Sequence, residues 1–404
     1  MPMTMTPQQP PEPRLPCAAK VLAWSSLLND IATEMVFPLL PAFVERVLGG
    51  SKLHVGMMEG MAEMTASLLK LGAGGWSDRI GKRRVFILGG YTIAALVRPF
   101  IGLATLPWHV VAARTADRVG KGLRSAPRDA LLTEVTPVAQ RGRVFGLNRA
   151  MDHLGACLGP LLGLFLLHYV VGGDLQLLFL LTAVPGIVVV ALVYFLLPES
   201  TPTPPRIENV SRWSLRPYGR PYQIYLLALA LFTLANSSDA FINSRALDLG
   251  FNLDAILLLW AGIHALKSGL SYLAGGWVDR FGARRFILLG WVLYSFFYLG
   301  FASVDEPGQL IVLALLYAST FAFIEPAERK YVGDLVGAER KGLAFGWFHF
   351  VVGILTLPAN VGFGWLYKNW SATWAFGAGA VLALLAAVVL LLIPTARGAQ
   401  RGTG

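Results

Sequence analysis

Charge is what this chain of 404 residues has least of: 14% of its side chains are Asp, Glu, Lys or Arg, whereas 55% are hydrophobic. Soluble domains carry about a quarter charged residues, so this scarcity excludes an ordinary soluble domain and points to a polytopic membrane protein. Cysteine is nearly absent. Cys17 and Cys157 cannot build a disulfide framework and lack the spacing of metal ligands. A nucleotide-binding loop is missing too, because Gly120-Lys121-Gly122 has neither the preceding glycine nor the following hydroxyl of GxxxxGK[ST]. Such a chain does not hydrolyse nucleotide, so any pumping must draw on an ion or solute gradient. No cofactor, metal centre or enzymatic activity is expected. His54, Met57, Met58, Met61 and Met64 resemble a soft-metal path, but methionine at helical spacing is first of all packing. No cleavable signal is expected either: the Pro-rich start reads as a short tail, and the first apolar run serves as its own insertion signal.

What is present is a succession of apolar runs near twenty residues, each long enough to cross a hydrocarbon core of about 30 Å. They predict helices over 20–46, 53–75, 85–105, 107–127, 141–168 and 174–197, then over 221–246, 254–276, 285–303, 308–327, 341–367 and 372–393. Residues 1–19 and 395–404 are expected to be tails. The polar, Pro-rich stretch 198–220 is too polar for a span and divides two six-helix bundles, 20–197 and 221–394. The net charge of +10 raises nucleic acid as a partner, but its distribution argues otherwise. Lys and Arg crowd into the tails, the linker and alternate loops, while the other five loops hold only Arg46, Lys52 and Lys368. By the positive-inside rule both termini are cytoplasmic. The expected partners are a lipid bilayer, protons and a small solute, with no nucleic acid, and the expected state is a monomer in the cell (inner) membrane.

The chain also repeats itself. GGWSDRIGKRRVFIL at 74–88 returns as GGWVDRFGARRFIL at 275–288, so that Gly74, Asp78, Arg79, Gly81, Arg83 and Arg84 find counterparts in Gly275, Asp279, Arg280, Gly282, Arg284 and Arg285. RGRVFG at 141–146 is answered by RKGLAFG at 340–346 at nearly the same spacing. Two motifs duplicated together imply one six-helix plan used twice.

Ionisable groups inside membrane helices are costly unless paired or wetted, and so mark function. The first predicted helix carries Asp30 and Glu34 beside Asn29, the second carries Glu59, Glu63 and Lys70, and the third only Arg98. On the fourth, Arg114, Asp117, Lys121, Arg124 and Arg128 recur every three or four residues, which makes one helix face a ladder of charge beside Arg118. The fifth holds Arg149, Asp152 and His153, the seventh Asn236, Asp239 and Arg245, the eighth His264 and Lys267. The ladder must face a water-filled cavity or paired neighbours. One interpretation is structural ion pairing, most natural for Arg149 with Asp152 or His153. The other is function: a carboxylate in low dielectric near an arginine can be tuned to take up and release a proton. Asp30, Glu34, Glu63, Asp117 and Asp152 are the candidates for proton exchange. Asn29, Arg114, Arg118, Lys121, Arg149, Asn236 and Asp239 are those for solute binding, with Trp24, Phe37, Phe241 and Trp260 as possible walls.

With these residues in view, residues 20–394 resemble the major facilitator superfamily. Gly74 to Arg84 look like its loop motif GxxxDRxGRR, and the resemblance implies a gating role for Gly74, Asp78, Arg79, Gly81, Arg83 and Arg84, and for Asp279 and Arg280 in the repeat. Gly155, Gly159, Pro160 and Gly163 look like the antiporter motif GxxxGPxxG of exporters, which physically permits close helix contact. Arg114 falls where the family has a helix-four arginine in RxxQGxG, but this chain places Asp117 and Arg118 at the Gln and Gly positions, and the usual proton-relay role does not carry over there. The resemblance implies an all-α membrane fold of twelve helices in two pseudo-symmetric bundles. It further implies a proton-coupled antiporter that exports a small amphipathic or anionic solute by rocking of the halves. The alternatives are an importer of an organic anion and a non-transporting membrane receptor.

Overall fold

The computed structural model describes residues 15–137, 141–198, 215, 218–336 and 341–394, excluding the side chains of Asp78, Asp279 and residues 141–143, 271–277, 322 and 341–343. The described residues form twelve helical spans. They are α1 (Cys17–Val47), α2 (Lys52–Ile80), α3 (Arg83–Leu103), α4 (Pro107–Val135), α5 (Arg141–Tyr169) and α6 (Leu175–Leu196) in the first half. The second half comprises α7 (Arg220–Asp248), α8 (Leu253–Phe281), α9 (Ala283–Ser303), α10 (Pro307–Leu335), α11 (Lys341–Asn369) and α12 (Ala372–Leu391). Among the described residues ten helices are long and apolar enough to cross a membrane. The two outside that set, α2 and α4, carry charge through mid-helix. Because the spans number twelve, the described chain starts and ends at one face, called here the termini face.

Several spans expected to be continuous are broken. In α1 the α-helix stops at Glu34 and gives way to a 3-10 turn at Phe37–Leu39 and a π turn at Phe43–Val47. Pro38 and Pro41 explain this, since each removes a backbone donor. Arg98–Leu103 of α3 is likewise 3-10, with Pro99 at its start. In α7 the helix ends at Ala235 and resumes at Ala240, with no proline at the break. The loop motif ends its helix at a glycine of positive φ in both halves, though with different ψ: α2 ends at Gly81 (φ +70°, ψ +11°) and α8 at Gly282 (φ +93°, ψ +136°). That left-handed backbone favours glycine and lets the chain turn sharply into the next helix. The gating side chains Asp78 and Asp279 lie outside the described residues.

Within each half the helices pack closely, and two seams join the halves: α2 runs along α11, and α5 along α8. Glycine sets the first seam. A side-chain carbon at Gly56 would come within 2.2 Å of the Asn360 carbonyl oxygen, and one at Gly60 within 3.1 Å of the Leu357 backbone. The same device joins α5 to α1. A carbon on Gly155 would lie 2.8 Å from Cβ of Asp30, one on Gly159 2.8 Å from Cβ of Glu34, and one on Gly163 2.4 Å from the Met35 carbonyl oxygen. The glycines thus let α1 approach α5 at the turns that carry its two carboxylates.

Candidate functional site

A cavity of about 960 Å³ lies between the halves. It extends from Thr33, Glu34 and His264 at mid-depth to Leu132, Phe145 and Phe345 near the termini face. Its walls carry eight cations, Lys70, Arg118, Lys121, Arg124, Arg128, Arg149, Lys267 and Arg329, against five carboxylates, Asp30, Glu34, Asp129, Asp152 and Glu325. Tyr91, Phe321 and Phe345 add aromatic surface. It is open to solvent well into the bundle: Lys121, which sits mid-helix on its wall, is 43% exposed.

The carboxylates are largely committed. Ser26 donates to Asp152 and itself accepts from Arg128 Nη1 at 3.0 Å. Glu325 accepts from Arg149 at 3.1 Å and Arg329 at 2.8 Å. Glu34 accepts from the indole N–H of Trp260 at 2.8 Å, and Asp30 from the Asn29 amide at 3.1 Å. Glu63 receives Arg118 at 3.3 Å and Lys121 at 3.7 Å. Two cavity cations have no carboxylate within ion-pair distance among the described residues. Arg124 lies over the Tyr91 ring at 4.7 Å and donates to the Gly90 carbonyl. Lys70 has Arg128, Arg149 and Arg329 as electrostatic neighbours, with only Asp129 of opposite sign.

The far face is shut. Lys52 Nζ at the head of α2 donates to Glu45 Oε2 at 2.6 Å, to Asp248 Oδ1 at 2.9 Å and to the Ser244 carbonyl at 3.2 Å. Ser244 also donates to Glu45 at 2.6 Å, Tyr367 to Asp248 at 2.6 Å, and Arg46 to the Leu247 carbonyl at 2.9 Å. These contacts tie α1 and α2 to α7 and α11. At the termini face the described ion pair between the halves is Arg149–Glu325, whose side chains are 53% and 51% exposed.

The charge ladder of α4 divides in two. Arg118, Lys121, Arg124 and Arg128 line the cavity, as do Asn29, Asp30, Glu34, Arg149 and Asp152. Arg114 and Asp117, expected to bind solute and exchange protons, lie behind the wall, each 3% exposed. Their charges are matched there. Arg114 Nε donates to Glu59 at 3.2 Å, its Nη1 lies 3.7 Å from Asp117, and Asp117 accepts from Arg98 at 2.9 Å. Asp239 is held by Lys267 at 2.7 Å and by the Tyr317 hydroxyl at 3.1 Å, while Asn236 sits in the break of α7 and does not line the cavity. Arg149 reaches Glu325 of the other half more closely than Asp152 of its own helix, 3.1 Å against 3.9 Å. Of the expected walls, Trp24 is half exposed and Phe241 buried against Phe363, outside the cavity, whereas Phe37 packs on Trp260 and under Arg114. Glu59 and Arg98 were visible only as charges in apolar runs, since their partners lie on other helices.

A family model described as Major Facilitator Superfamily matches residues 22–269 and 227–403. The chain belongs to that superfamily and is a multi-pass membrane transporter, not an enzyme. An uncharacterised MFS-type transporter of Methanocaldococcus jannaschii is 32% identical over 379 residues, covering 92% of this chain and 94% of its own. The multidrug resistance protein MdtH of Photorhabdus laumondii is 27% identical over 355 residues, 86% of each chain. Among solved structures, the nucleoside transporter NupG superposes with a TM-score of 0.78 at 13% identity, over 94% of this chain and all of that one. These structural likenesses establish the fold alone.

Proposed function

We propose that the protein is a proton-coupled antiporter that exports a small amphipathic anion by alternating access. The supporting observation is the cavity: cations outnumber carboxylates, Lys70 and Arg124 have no carboxylate within ion-pair distance among the described residues, aromatic rings lie alongside, and Asp30, Glu34 and Asp152 line the same space. An uncompensated positive charge in a confined site calls for an anion. With both termini cytoplasmic by the positive-inside rule, the shut face is the outer one and the state described is ready to load from the cytoplasm. The multidrug relative and the antiporter-like glycines of α5 favour export. Arg118, Lys121, Arg124 and Lys70 bind the anionic part of the solute, and Asp30, Glu34 and Asp152 exchange protons. Gly74, Arg79, Gly81, Arg83 and Arg84 shape the cytoplasmic gate together with Asp78.

The test is flux in proteoliposomes with the termini face outward, using 6-carboxyfluorescein as the probe. An acid lumen should drive the dye inward as protons leave. An importer of organic anions uses the same cations but moves solute and proton together, so accumulation in an alkaline lumen would overturn the export assignment.

A further inference from the structure

Seven polar side chains make an unbroken path from the shut seam to the cavity. Ser238, in the break of α7, donates to Glu59 Oε2 at 3.3 Å, and its own amide donates to Asn360 of α11 at 2.7 Å. The other oxygen of Glu59 accepts from Arg114 at 3.2 Å; Arg114 is 3.7 Å from Asp117, and Asp117 accepts from Arg98 at 2.9 Å. Arg98 donates to the Asn29 side-chain oxygen at 3.4 Å, and the Asn29 amide nitrogen donates to Asp30 at 3.1 Å. Glu59, Arg114, Asp117 and Arg98 are each only 3% exposed. The path therefore starts at a contact between the halves that opening of the far face must break, and ends at a carboxylate lining the cavity.

We propose that Glu59 is a positioning residue that couples the state of the far seam to proton exchange at Asp30. The inference rests on the proton-coupled reading above. Two donors lack partners in the present state, Arg114 Nη2 and Arg98 Nε, so the chain has slack to rearrange. When α7 and α11 withdraw, Glu59 loses the Ser238 hydroxyl, and Arg114 turns more fully onto Glu59, because a buried carboxylate oxygen left bare is expensive. Asp117 then leans on Arg98, which draws away from its long bond to Asn29. Asn29 in turn loses the partner that aims its amide at Asp30. An amide that donates to a carboxylate favours the ionised form. Closure of the far face thus favours proton release from Asp30 into the cavity, and opening favours proton uptake, the order that proton-driven export requires. No proton travels along the path, since guanidinium groups stay charged; the coupling is one of orientation and charge. Asp30 also faces Glu34, Asp152 from α5, Tyr91 from α3, and Arg124, Lys121 and Arg128 from α4; of these Glu34 also reaches the other half, through the Trp260 indole of α8, but it is not bonded to Ser238 or Asn360.

The experiment is pulsed electron resonance on full-length protein in nanodiscs, with spin labels on the far-face loops at 49 and 250 and with both native cysteines replaced, from pH 5 to 9. The native chain should open its far face with a single pH midpoint, and Asp30→Asn should abolish the dependence. Glu59→Gln and Ser238→Ala should each displace the midpoint by about one pH unit, a tenfold change in proton affinity. Ser238→Ala leaves every buried charge in place and serves if Glu59→Gln does not fold. A pH response in the native chain with an unmoved midpoint in both variants overturns the coupling, as does a uniform shift in population at every pH. Absence of any pH response in the native chain defeats the proton reading itself.

Discussion

Arg98 and Lys70 show how differently two cations behave at membrane depth. Arg98 is sealed against Asp117, and removing Arg98 leaves that buried carboxylate without its hydrogen-bonded partner, answered only by Arg114 at 3.7 Å. Arg98→Ala should therefore cost about 3–5 kcal/mol, read as a large fall in the thermal unfolding midpoint in detergent. The double variant with Asp117→Asn should recover much of the loss, and simple additivity would contradict the pairing. Lys70 has no carboxylate within ion-pair distance among the described residues, only Asp129 as a more distant anionic neighbour. Lys70→Gln should leave the unfolding midpoint near its native value while weakening 6-carboxyfluorescein binding about tenfold, the worth of one charge-assisted contact of about 1.5 kcal/mol, measured by fluorescence titration. Unchanged binding would remove Lys70 from the solute site. The sequence announced both residues, because a cation in an apolar run is conspicuous. It did not announce which was matched, since Asp117, Glu59 and Arg98 come from three helices and meet only in the folded bundle.

The helices themselves were legible from apolar run length, and the charge ladder of α4 from its spacing. The breaks were legible only where proline causes them, as at Pro38, Pro41 and Pro99. The interruption between Ala235 and Ala240 has no such mark. The Ser238 amide there donates to Asn360, and its hydroxyl donates to Glu59 while accepting from the Ala240 amide at 3.2 Å, bonds to partners that the local sequence does not display. Glycines on α5 read as a motif, and the structure gives their geometry against α1. Gly159→Val forces a side chain to within 2.8 Å of Cβ of Glu34, and overpacking of this kind costs about 1–3 kcal/mol. Because the displaced turn carries Glu34, the variant should also lose proton-driven dye flux out of proportion to its lowered unfolding midpoint. Native flux with a normal midpoint would show that α1 does not need this approach.

Two bundles on one plan carry unequal chemistry. The seven-residue path is confined to the first bundle apart from Ser238, while the second contributes Lys267 and Arg329 and a core rich in tyrosine and phenylalanine around Tyr298 and Tyr317. Duplication made the frame readable, whereas the division of labour arises from side chains outside the repeated motifs. Which way the frame rests depends on the far-face contacts. Lys52→Gln removes one amine that bonds α2 to α1 and α7 and should raise the far-open population several-fold, as measured by the same spin-label distances; no change would assign closure to the glycine seam instead. An ammonium has three hydrogens, and Lys52 spends them on Glu45, Asp248 and the Ser244 carbonyl, leaving none for water. The clasp therefore has no half-undone form to linger in: parting the bundles surrenders the grip on Asp248 and Ser244 together, so the far face should open as a snap rather than a slow hinge.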